Sequence, residues 1–191
     1  MIRCYEPRDA PLIKEAIDSS LEHLRPWMPW ASDEPQTLEE KTELAKEFRS
    51  NFDSGEDFPY GIFSADESEQ LGGTGLHARV GPGGLEIGYF VRASATRLGL
   101  ATESSAALTR VGFEICGADR IEIRIDPRNE ASFGIPRKLG FTEEATLRRR
   151  LPTRDGQPLR DVTIFTMFRE DFDPSLARDI RAFDARGQQI L

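Results

Sequence analysis

A glycine at the start of a strong helical pattern could bind an anion through main-chain atoms alone. The segment ATRLGLATES, residues 95–104, follows a strand pattern and opens that helix. Glycine lets a ligand approach the backbone, and the first N–H groups of a helix have no intrahelical acceptor. Arg92 and Arg97 lie close enough in sequence to add positive charge. The segment suits a pyrophosphate group, although Gly99 could equally serve only as a turn, with Ala101 packed inside.

A second ordered set of residues, NEASFGIPRKLGF at 129–141, combines polar groups with a helix and its two boundaries. Asn129 follows a strand pattern, and Ser132 begins a short helix. Gly140 ends that helix and Phe141 begins the next strand. The order of these parts is more specific than any one of them.

Other reactive side chains form no recognisable set. Cys4 lies in a strand pattern, and Cys116 ends a helix beside its apolar side, where buried thiols are usually inert. His23 and His77 have no neighbouring Cys or Ser in a catalytic arrangement. Two histidines without a cysteine or carboxylate cluster also disfavour a metal site. We therefore expect neither covalent catalysis nor a bound metal.

The elements that position these segments follow the order β α α β β β α β α β β. Asp9 can cap a first helix that ends before Pro26, and Thr37 with Glu40 forms a capping box for a second. Between them LRPWMPW, residues 24–30, carries two prolines and cannot be regular, which leaves two indoles on a loop. The remaining helices are predicted at 100–116 and 132–139, and the strands at 2–5, 58–64, 70–80, 85–91, 120–126, 141–148 and 162–168.

This order predicts an α/β fold with one mixed sheet and helices on its faces, because strands and helices do not alternate strictly. The last two strands are joined by the turn-rich PTRDGQP, residues 152–158. The string GGTGLHA, residues 72–78, imitates a dinucleotide-binding fingerprint. The following RVGPGG cannot form the helix that such a fingerprint requires, so we reject it.

Composition limits the function further. A chain of 191 residues is expected to form one domain, and no run approaches the ~18 apolar residues of a membrane span. A net charge of −8 without a basic stripe disfavours nucleic-acid binding. The N-terminal MIRCYEPRD lacks signal-peptide features and there are two cysteines, so we expect a reduced, cytoplasmic protein without a membrane partner.

The motifs, taken together, resemble a known enzyme superfamily. LEIGYFV, the helix start G-L-A-T-E and NEASFGIPRKLGF are similar to motifs of the GNAT acyl-CoA N-acyltransferases. LRPWMPW and N-x-x-S before KLGF resemble the RimJ/RimL branch of ribosomal-protein N-terminal acetyltransferases. The resemblance implies a GNAT-like domain at 1–170 with a mostly antiparallel sheet and splayed central strands. It leaves 171–191 as a polar C-terminal extension.

The resemblance also implies where acetyl-CoA binds. In the family, the strand matching 85–91 parts from the strand matching 121–126, and pantetheine pairs with backbone in the gap, here near Phe90 and Val91. The residues implied around the pyrophosphate are Arg97, Leu98, Gly99, Leu100, Ala101 and Thr102. Those implied at the cofactor arm, the thiol sulfur and the nucleotide end are Asn129, Ser132 and Arg137.

Two positions depart from the family pattern. Thr96 and Arg97 replace a Gln or Arg followed by Gly, which predicts a tighter or displaced loop, but Gly99 keeps the anion site. Pro136 stands where many members carry a Tyr acid. Ser132 or water must then protonate the leaving thiolate.

Glu86 is the expected catalytic base, since it lies on the strand that borders the acyl site and matches a catalytic Glu of some members. The alternative is an outward-facing surface residue between Leu85 and Ile87. Glu144 is a weaker candidate. A strand N–H at Phe90 or nearby would stabilise the thioester oxygen.

The expected reaction is direct acetyl transfer to a primary amine. An α-amino group of pKa ~7.7–8.0 costs under ~1.5 kcal/mol to deprotonate at pH 7, against ~4.6 kcal/mol for a lysine. An N-terminal amine or a similarly weak base is therefore the easier acceptor, and the resemblance implies a peptide or protein α-amine. A small amine, an aminoacyl-nucleotide or an antibiotic is the alternative, and a non-catalytic acyl-CoA-binding module is an alternative of another class.

Trp27, Trp30 and His77 are the expected acceptor-binding residues. Rigid aromatic surfaces on loops are common recognition elements, although both indoles could instead fill the open end of the core. His77 lies in a strand beside the expected cleft, and its alternative is a structural role. Relatives often pair, so a homodimer is a further expectation, with 171–191 extending the contact.

Overall fold

A computed structural model describes residues 1–153, 158–184 and 186–191. One sheet of seven strands runs through the molecule in the order β1-β2-β3-β4-β5-β7-β6. All neighbours are antiparallel except β4 and β5, which are parallel. The strands are β1 Ile2–Cys4, β2 Phe58–Phe63, β3 Gln70–His77, β4 Gly84–Val91, β5 Arg120–Ile125, β6 Thr142–Leu151 and β7 Arg160–Phe168. The predicted turn at 152–158 lies partly outside the described residues.

The helices are α1 Ala10–Asp18, α2 Leu21–Leu24, α3 Leu38–Ser54, α4 Leu100–Glu114 and α5 Glu130–Lys138. The capping box is confirmed, because Thr37 Oγ1 accepts from Glu40 N–H while the Glu40 carboxylate accepts from Thr37 N–H. The single first helix is wrong: a turn after Asp18 separates α1 from α2. Asp9 makes no side-chain cap of α1, because its carboxylate binds Arg3 instead.

Two apolar clusters cover the two faces of the sheet. On one face, α4 and α5 pack against alternate residues of the central strands, including Ile87, Ile121 and Phe165. On the other face, α1 and α3 cover the strands from β1 to β4 around Tyr5 and Phe63. Side chains of successive strand residues point to opposite faces. Glu86 and Phe90 therefore lie on the face opposite to Ile87.

The parallel strands β4 and β5 pair over three residues and then part. The pairs run from Gly84 with Arg120 to Glu86 with Glu122, whereas β4 continues to Val91 and β5 to Ile125. Beyond these pairs the two strands enclose an opening. The mixed α/β sheet with splayed central strands is thus confirmed.

Glycines of β3 and β4 leave room for aromatic rings on the sheet. A Cβ at Gly73 would lie 2.5 Å from the Phe90 ring, and one at Gly75 would lie 2.7 Å from the His77 ring. A Cβ at Gly88 would lie 3.1 Å from His77 Nε2. The glycines of the string at 72–78, which we rejected as a dinucleotide fingerprint, thus make room for the Phe90 and His77 rings.

The C-terminal residues pack against α4. Phe172, Leu176 and Ile180 contact the α4 cluster, and Arg110 Nη1 donates to Ala177 O at 3.0 Å. Short 3-10 turns occur at Arg169–Asp171 and Pro174–Ala177. In the described part of the chain, no helix is long and apolar enough to cross a membrane.

Candidate active site

The loop of residues 93–99, here called the anion loop, connects β4 to α4. Arg97 has φ 64° and Gly99 has φ 84°, so two residues adopt the left-handed conformation. Gly99 is the N-cap of α4, which has no side-chain cap, and the first intrahelical bond runs from Glu103 N–H to Gly99 O. A Cβ at Gly99 would meet nothing within 4 Å. N–H groups at the helix start together with left-handed residues make an anion-binding concavity.

Arg92 does not add charge to the anion loop. Its guanidinium makes two hydrogen bonds to the Glu15 carboxylate, at 2.8 and 2.9 Å, and is largely buried. It therefore fixes α1 against the sheet, which corrects the expectation from sequence. Arg97 and Leu98 are exposed.

The backbone of β4 directs alternate residues into the opening. Arg92 N–H donates to Leu71 O of the β3 side at 2.9 Å. The direction of the backbone hydrogen-bonding groups alternates along a strand. The N–H and C=O groups of Phe90 therefore also face β3, where Phe90 pairs with Gly73. The N–H and C=O groups of Tyr89 and Val91 then face the side from which β5 has parted. Phe90 and Val91 are the two positions predicted to pair with pantetheine. The backbone groups of Val91 face the opening, whereas those of Phe90 face β3 and its side chain packs against Trp30.

The start of α5 forms the opposite side of the opening. Asn129 is the N-cap, and its side chain accepts from Ser132 N–H at 3.3 Å. Tyr89 Oη lies 3.5 Å from Ser132 O, so this tyrosine of β4 reaches across to α5. Burial raises the pKa of Tyr89, which keeps its hydroxyl protonated. Sequence reasoning considered a tyrosine only on α5 and missed Tyr89.

Arg137, the residue expected at the nucleotide end, extends from α5 at the surface. Its Nη2 lies 2.9 Å from Glu143, and its guanidinium stacks over the Phe133 ring at 5.3 Å. The side chain is 60% exposed, so Arg137 can rearrange toward a ligand only by releasing these contacts.

Glu86 belongs to an alternating row of charges on the face opposite to α4, here called the guanidinium ladder. Its carboxylate accepts from Arg79 at 2.6 and 3.0 Å, and Arg124 Nε lies 3.9 Å away. Arg124 also binds Glu122, which binds Arg120. Glu86 is 7% exposed, so it is not the surface residue of the alternative reading. Glu144 is exposed and accepts from Thr166 Oγ1.

His77 lies directly across from Glu86 in the β3–β4 pairing. Its Nδ1 is 2.8 Å from an Asp57 carboxylate oxygen, and its ring covers Gly75 and Gly88. A carboxylate at Nδ1 orients the imidazole and leaves Nε2 for another partner. The structure therefore brings two proton-accepting side chains together where β4 and β5 part.

A cavity of about 680 Å³ lies beside the loop LRPWMPW, here called the Trp-Pro loop (residues 24–30). Trp27 and Met28 line it, together with Arg25, Arg128, Thr153 and Arg160. Trp30 lies instead against Phe90, with ring centroids 5.3 Å apart. The structure therefore separates the two indoles, one in a cavity wall and one on β4.

Arg160 of β7 connects the Trp-Pro loop to the end of β5. Its Nη1 donates to Pro26 O at 2.7 Å and to Asp126 at 2.8 Å. Burial favours the neutral form of Asp126, but the hydrogen bonds from Arg128 and the nearby Arg160 charge hold its pKa below the ordinary value. Sequence reasoning missed this set. The local sequence indicated only part of it, because Asp126 stands two residues before Arg128 at the end of a strand.

The cysteines take no part in the opening. Cys116 is exposed, not buried as expected, because α4 ends at Glu114 before reaching it. Partial burial still raises the pKa of its thiol. Across residues 1–153, 158–184 and 186–191, no group of three or more His, Cys, Asp or Glu side chains is arranged to hold a metal ion.

Comparisons with known proteins agree with this geometry. The acetyltransferase (GNAT) domain matches residues 1–142. YjcK of Bacillus subtilis, a probable N-acetyltransferase, is 27% identical over 121 residues, which cover 62% of this chain and 66% of YjcK, just under two thirds. Mycobacterium smegmatis RimJ in complex with CoA-disulfide has a TM-score of 0.82 and 26% identity, covering 93% of this chain and 85% of RimJ. The ribosomal-protein-S5-alanine acetyltransferase of Vibrio fischeri has a TM-score of 0.78 and 19% identity, covering 91% and 94%.

Because the domain match covers most of the chain, the protein belongs to the acetyltransferase (GNAT) domain family. The predicted N-acetyltransferase class is thereby confirmed. Mycobacterium smegmatis RimJ is among the structural neighbours, in agreement with the predicted resemblance to the RimJ/RimL-type branch.

Proposed function

We propose that the protein transfers the acetyl group of acetyl-CoA directly to the N-terminal α-amine of a peptide or protein. The parting of β4 from β5 carries this proposal, because it opens the sheet beside the strand that leads into the anion loop and that contacts Trp30 of the Trp-Pro loop through Phe90. RimJ, 26% identical, is a fold neighbour in complex with CoA-disulfide. An α-amine is also the acceptor that is cheapest to deprotonate at neutral pH.

The pyrophosphate of acetyl-CoA binds the anion loop and the start of α4. Backbone N–H groups from Arg97 to Thr102 donate to it, and the helix dipole favours its negative charge. The open space at Gly99 leaves room for the phosphates. Arg97 adds an exposed guanidinium, and Arg137 contributes to the nucleotide end once it leaves Glu143. Of these two arginines, Arg97 can contribute without first giving up an ion pair with another described residue, whereas Arg137 must leave Glu143.

Pantetheine occupies the opening between β4 and β5. Val91 and Tyr89 supply the backbone groups that face it, and the thioester oxygen accepts from one of these N–H groups. Asn129 and Ser132 border the arm from α5. Within the described residues the Ser132 hydroxyl has no hydrogen-bond partner, so it is free to donate to the leaving thiolate.

The amine proton leaves toward Glu86. Phe90 and Glu86 are four residues apart on β4, a separation of about 13 Å between Cα atoms at the usual rise per residue. A thioester near Phe90 is therefore too far from Glu86 for direct transfer, and the proton travels through water. His77, oriented by Asp57, lies beside the same path. The neutral amine attacks the carbonyl carbon, the C–S bond breaks, and the thiolate takes a proton from water, either directly or through the Ser132 hydroxyl, which gives up its proton and regains one from that water.

The acceptor enters through the cavity beside the Trp-Pro loop. Trp27 provides a rigid face for the first residues of the peptide, and Trp30 shapes the β4 side through Phe90. Replacing Trp27 by Ala is expected to raise the acceptor KM and to leave acetyl-CoA affinity unchanged.

A thiol-release screen over peptide N-termini and small amines tests the proposal. Release with peptides and acetylation of their α-amine, located by mass spectrometry, is the expected result. Release with small amines alone would replace the acceptor class. Acetyl-CoA binding without release on any amine would instead indicate a binding module.

Glu86→Gln tests the proton path, with Glu122→Gln as the matched control from the same guanidinium ladder. We expect Glu86→Gln to lower kcat by about 100-fold, within the range for general-base catalysis, and the loss to shrink as pH rises and neutral amine accumulates. Equal losses in both variants would assign the effect to the ladder rather than to a base.

A further inference from the structure

The cavity beside the Trp-Pro loop concentrates positive charge in a protein of net charge −8. Arg25, Arg128 and Arg160 line it, and the other described lining residues are uncharged. Arg25 lies in the Trp-Pro loop directly after α2, Arg128 follows β5, and Arg160 begins β7, so the three are far apart in sequence. Such convergence is built by the fold and not by a local run of basic residues.

One carboxylate, Asp126, serves two of these arginines. Its Oδ1 accepts from Arg128 Nε at 3.0 Å, and its Oδ2 accepts from Arg128 Nη2 at 2.7 Å and Arg160 Nη1 at 2.8 Å. Asp126 is 7% exposed, so water does little to screen its interaction with Arg160, whose side chain is also largely buried. Two guanidinium groups are thus balanced by a single negative charge.

Arg25 has no carboxylate partner within 4 Å among the described residues. Its Nη2 donates to the backbone oxygen of Glu34 at 3.0 Å. The Glu34 carboxylate is directed elsewhere, to the buried ammonium of Lys41. Among the described residues, three guanidinium groups and one carboxylate give the cavity wall a formal charge of +2.

The arginines also retain unused donors. Arg160 Nε is buried and has no hydrogen-bond partner among the residues that the structure describes. Arg128 is 63% exposed, which leaves part of its planar fork facing the cavity. A guanidinium binds carboxylate or phosphate in two-point geometry, and such charge-assisted bonds are the strong ones.

We propose that the cavity selects an acceptor peptide with an acidic side chain next to its N-terminal residue, bound by Arg25 and Arg128. Arg160 acts as a positioning residue, because it fixes the Trp-Pro loop through Pro26 O. The inference rests on the proposed function and names its substrate class more narrowly. The anionic chemistry is shared with phosphorylated small amines, which the experiment separates.

Three peptides that differ at one position supply the test: Ser-Asp-Ala-Gly, Ser-Asn-Ala-Gly and Ser-Lys-Ala-Gly, all C-terminally amidated. We expect kcat/KM to be highest for the Asp peptide, about tenfold above the Asn peptide, with the Lys peptide lowest. High ionic strength should reduce the preference. O-phosphoethanolamine is assayed beside them.

Arg25→Gln and Arg128→Gln are expected to remove the preference for Asp, measured as the ratio of kcat/KM between the Asp and Asn peptides. Arg128→Glu should reverse the order toward the Lys peptide. Arg8→Gln, at a side chain 73% exposed and paired with Glu6, is the matched control and should keep the wild-type order.

The outcomes separate the two proposals. Equal kcat/KM on the three peptides overturns the acidic preference but leaves peptide acetylation intact. Acetylation of O-phosphoethanolamine and of no peptide overturns it as well. No release from any peptide or amine, with acetyl-CoA still bound, overturns the proposed function itself.

Discussion

The anion loop and the arginine-lined cavity, the two sites proposed for acetyl-CoA and for the acceptor, are built in different ways. The anion loop is a continuous segment of seven residues whose backbone conformation supplies the binding groups. The cavity is assembled from segments far apart in sequence, and the hydrogen bond from the Arg160 side chain to the backbone oxygen of Pro26 spans 134 residues. A local backbone site tolerates change in most side chains, whereas an assembled site depends on each long-range contact.

Gly99→Val breaks the backbone side of this comparison and has the largest expected effect. A β-branched residue at positive φ strains the loop, and its side chain fills the open space, so acetyl-CoA affinity should fall about 100-fold by calorimetry. Gly55→Val is the control, since Gly55 also has positive φ and open space but ends α3. Unchanged affinity in a folded Gly99 variant would contradict the loop assignment.

Asp126→Asn tests the charge balance of the assembled side. Losing the carboxylate that accepts from two arginines should cost about 2 kcal/mol of unfolding free energy at pH 7. Because the folded pKa of Asp126 lies below its ordinary value of 3.8, its stabilisation is present above that value and is lost as pH falls. The difference from wild type in urea should thus shrink below about pH 4. A difference independent of pH would exclude the ion pair as its source, and Asp179→Asn should show none.

Arg160→Met cuts the connection between β7 and the Trp-Pro loop. The acceptor KM should rise about tenfold with acetyl-CoA affinity unchanged, measured by thiol release and calorimetry. Arg110→Met is the control, because Arg110 makes a similar bond to a distant carbonyl, Ala177 O, away from the cavity. Equal KM changes in both variants would indicate general loosening of the fold.

Arg97→Gly has the smallest expected effect and sharpens the comparison on the backbone side. Glycine relieves the strain of the left-handed conformation at φ 64°. A more flexible unfolded chain partly offsets this effect, so the free energy of unfolding should rise by roughly 0.5 kcal/mol. Arg149→Gly, at φ 55°, should gain similarly in thermal denaturation. Only Arg97→Gly should also weaken acetyl-CoA binding. A loss of stability would show that the Arg97 side chain stabilises the loop.

The sequence predicted the backbone site better than the assembled one for a physical reason. Gly99 before α4, the Thr37–Glu40 capping box and the order of strands all express local preferences that a short window contains. The partners of Arg92 and Arg160 depend on how distant elements dock. Neither Glu15 nor Pro26 could be identified from spacing, and the break between α1 and α2 is likewise set by packing rather than by periodicity.

Two glycines of the sheet, Gly75 on β3 and Gly88 on β4, determine the orientation of the His77 ring. His77 rests on Gly75 and Gly88, so a methyl group added at either position would crowd the imidazole and shift it relative to Asp57. The aim of that ring is thus determined by atoms its neighbours lack. The direction of the His77 imidazole thus depends on two glycines that carry no reactive group themselves.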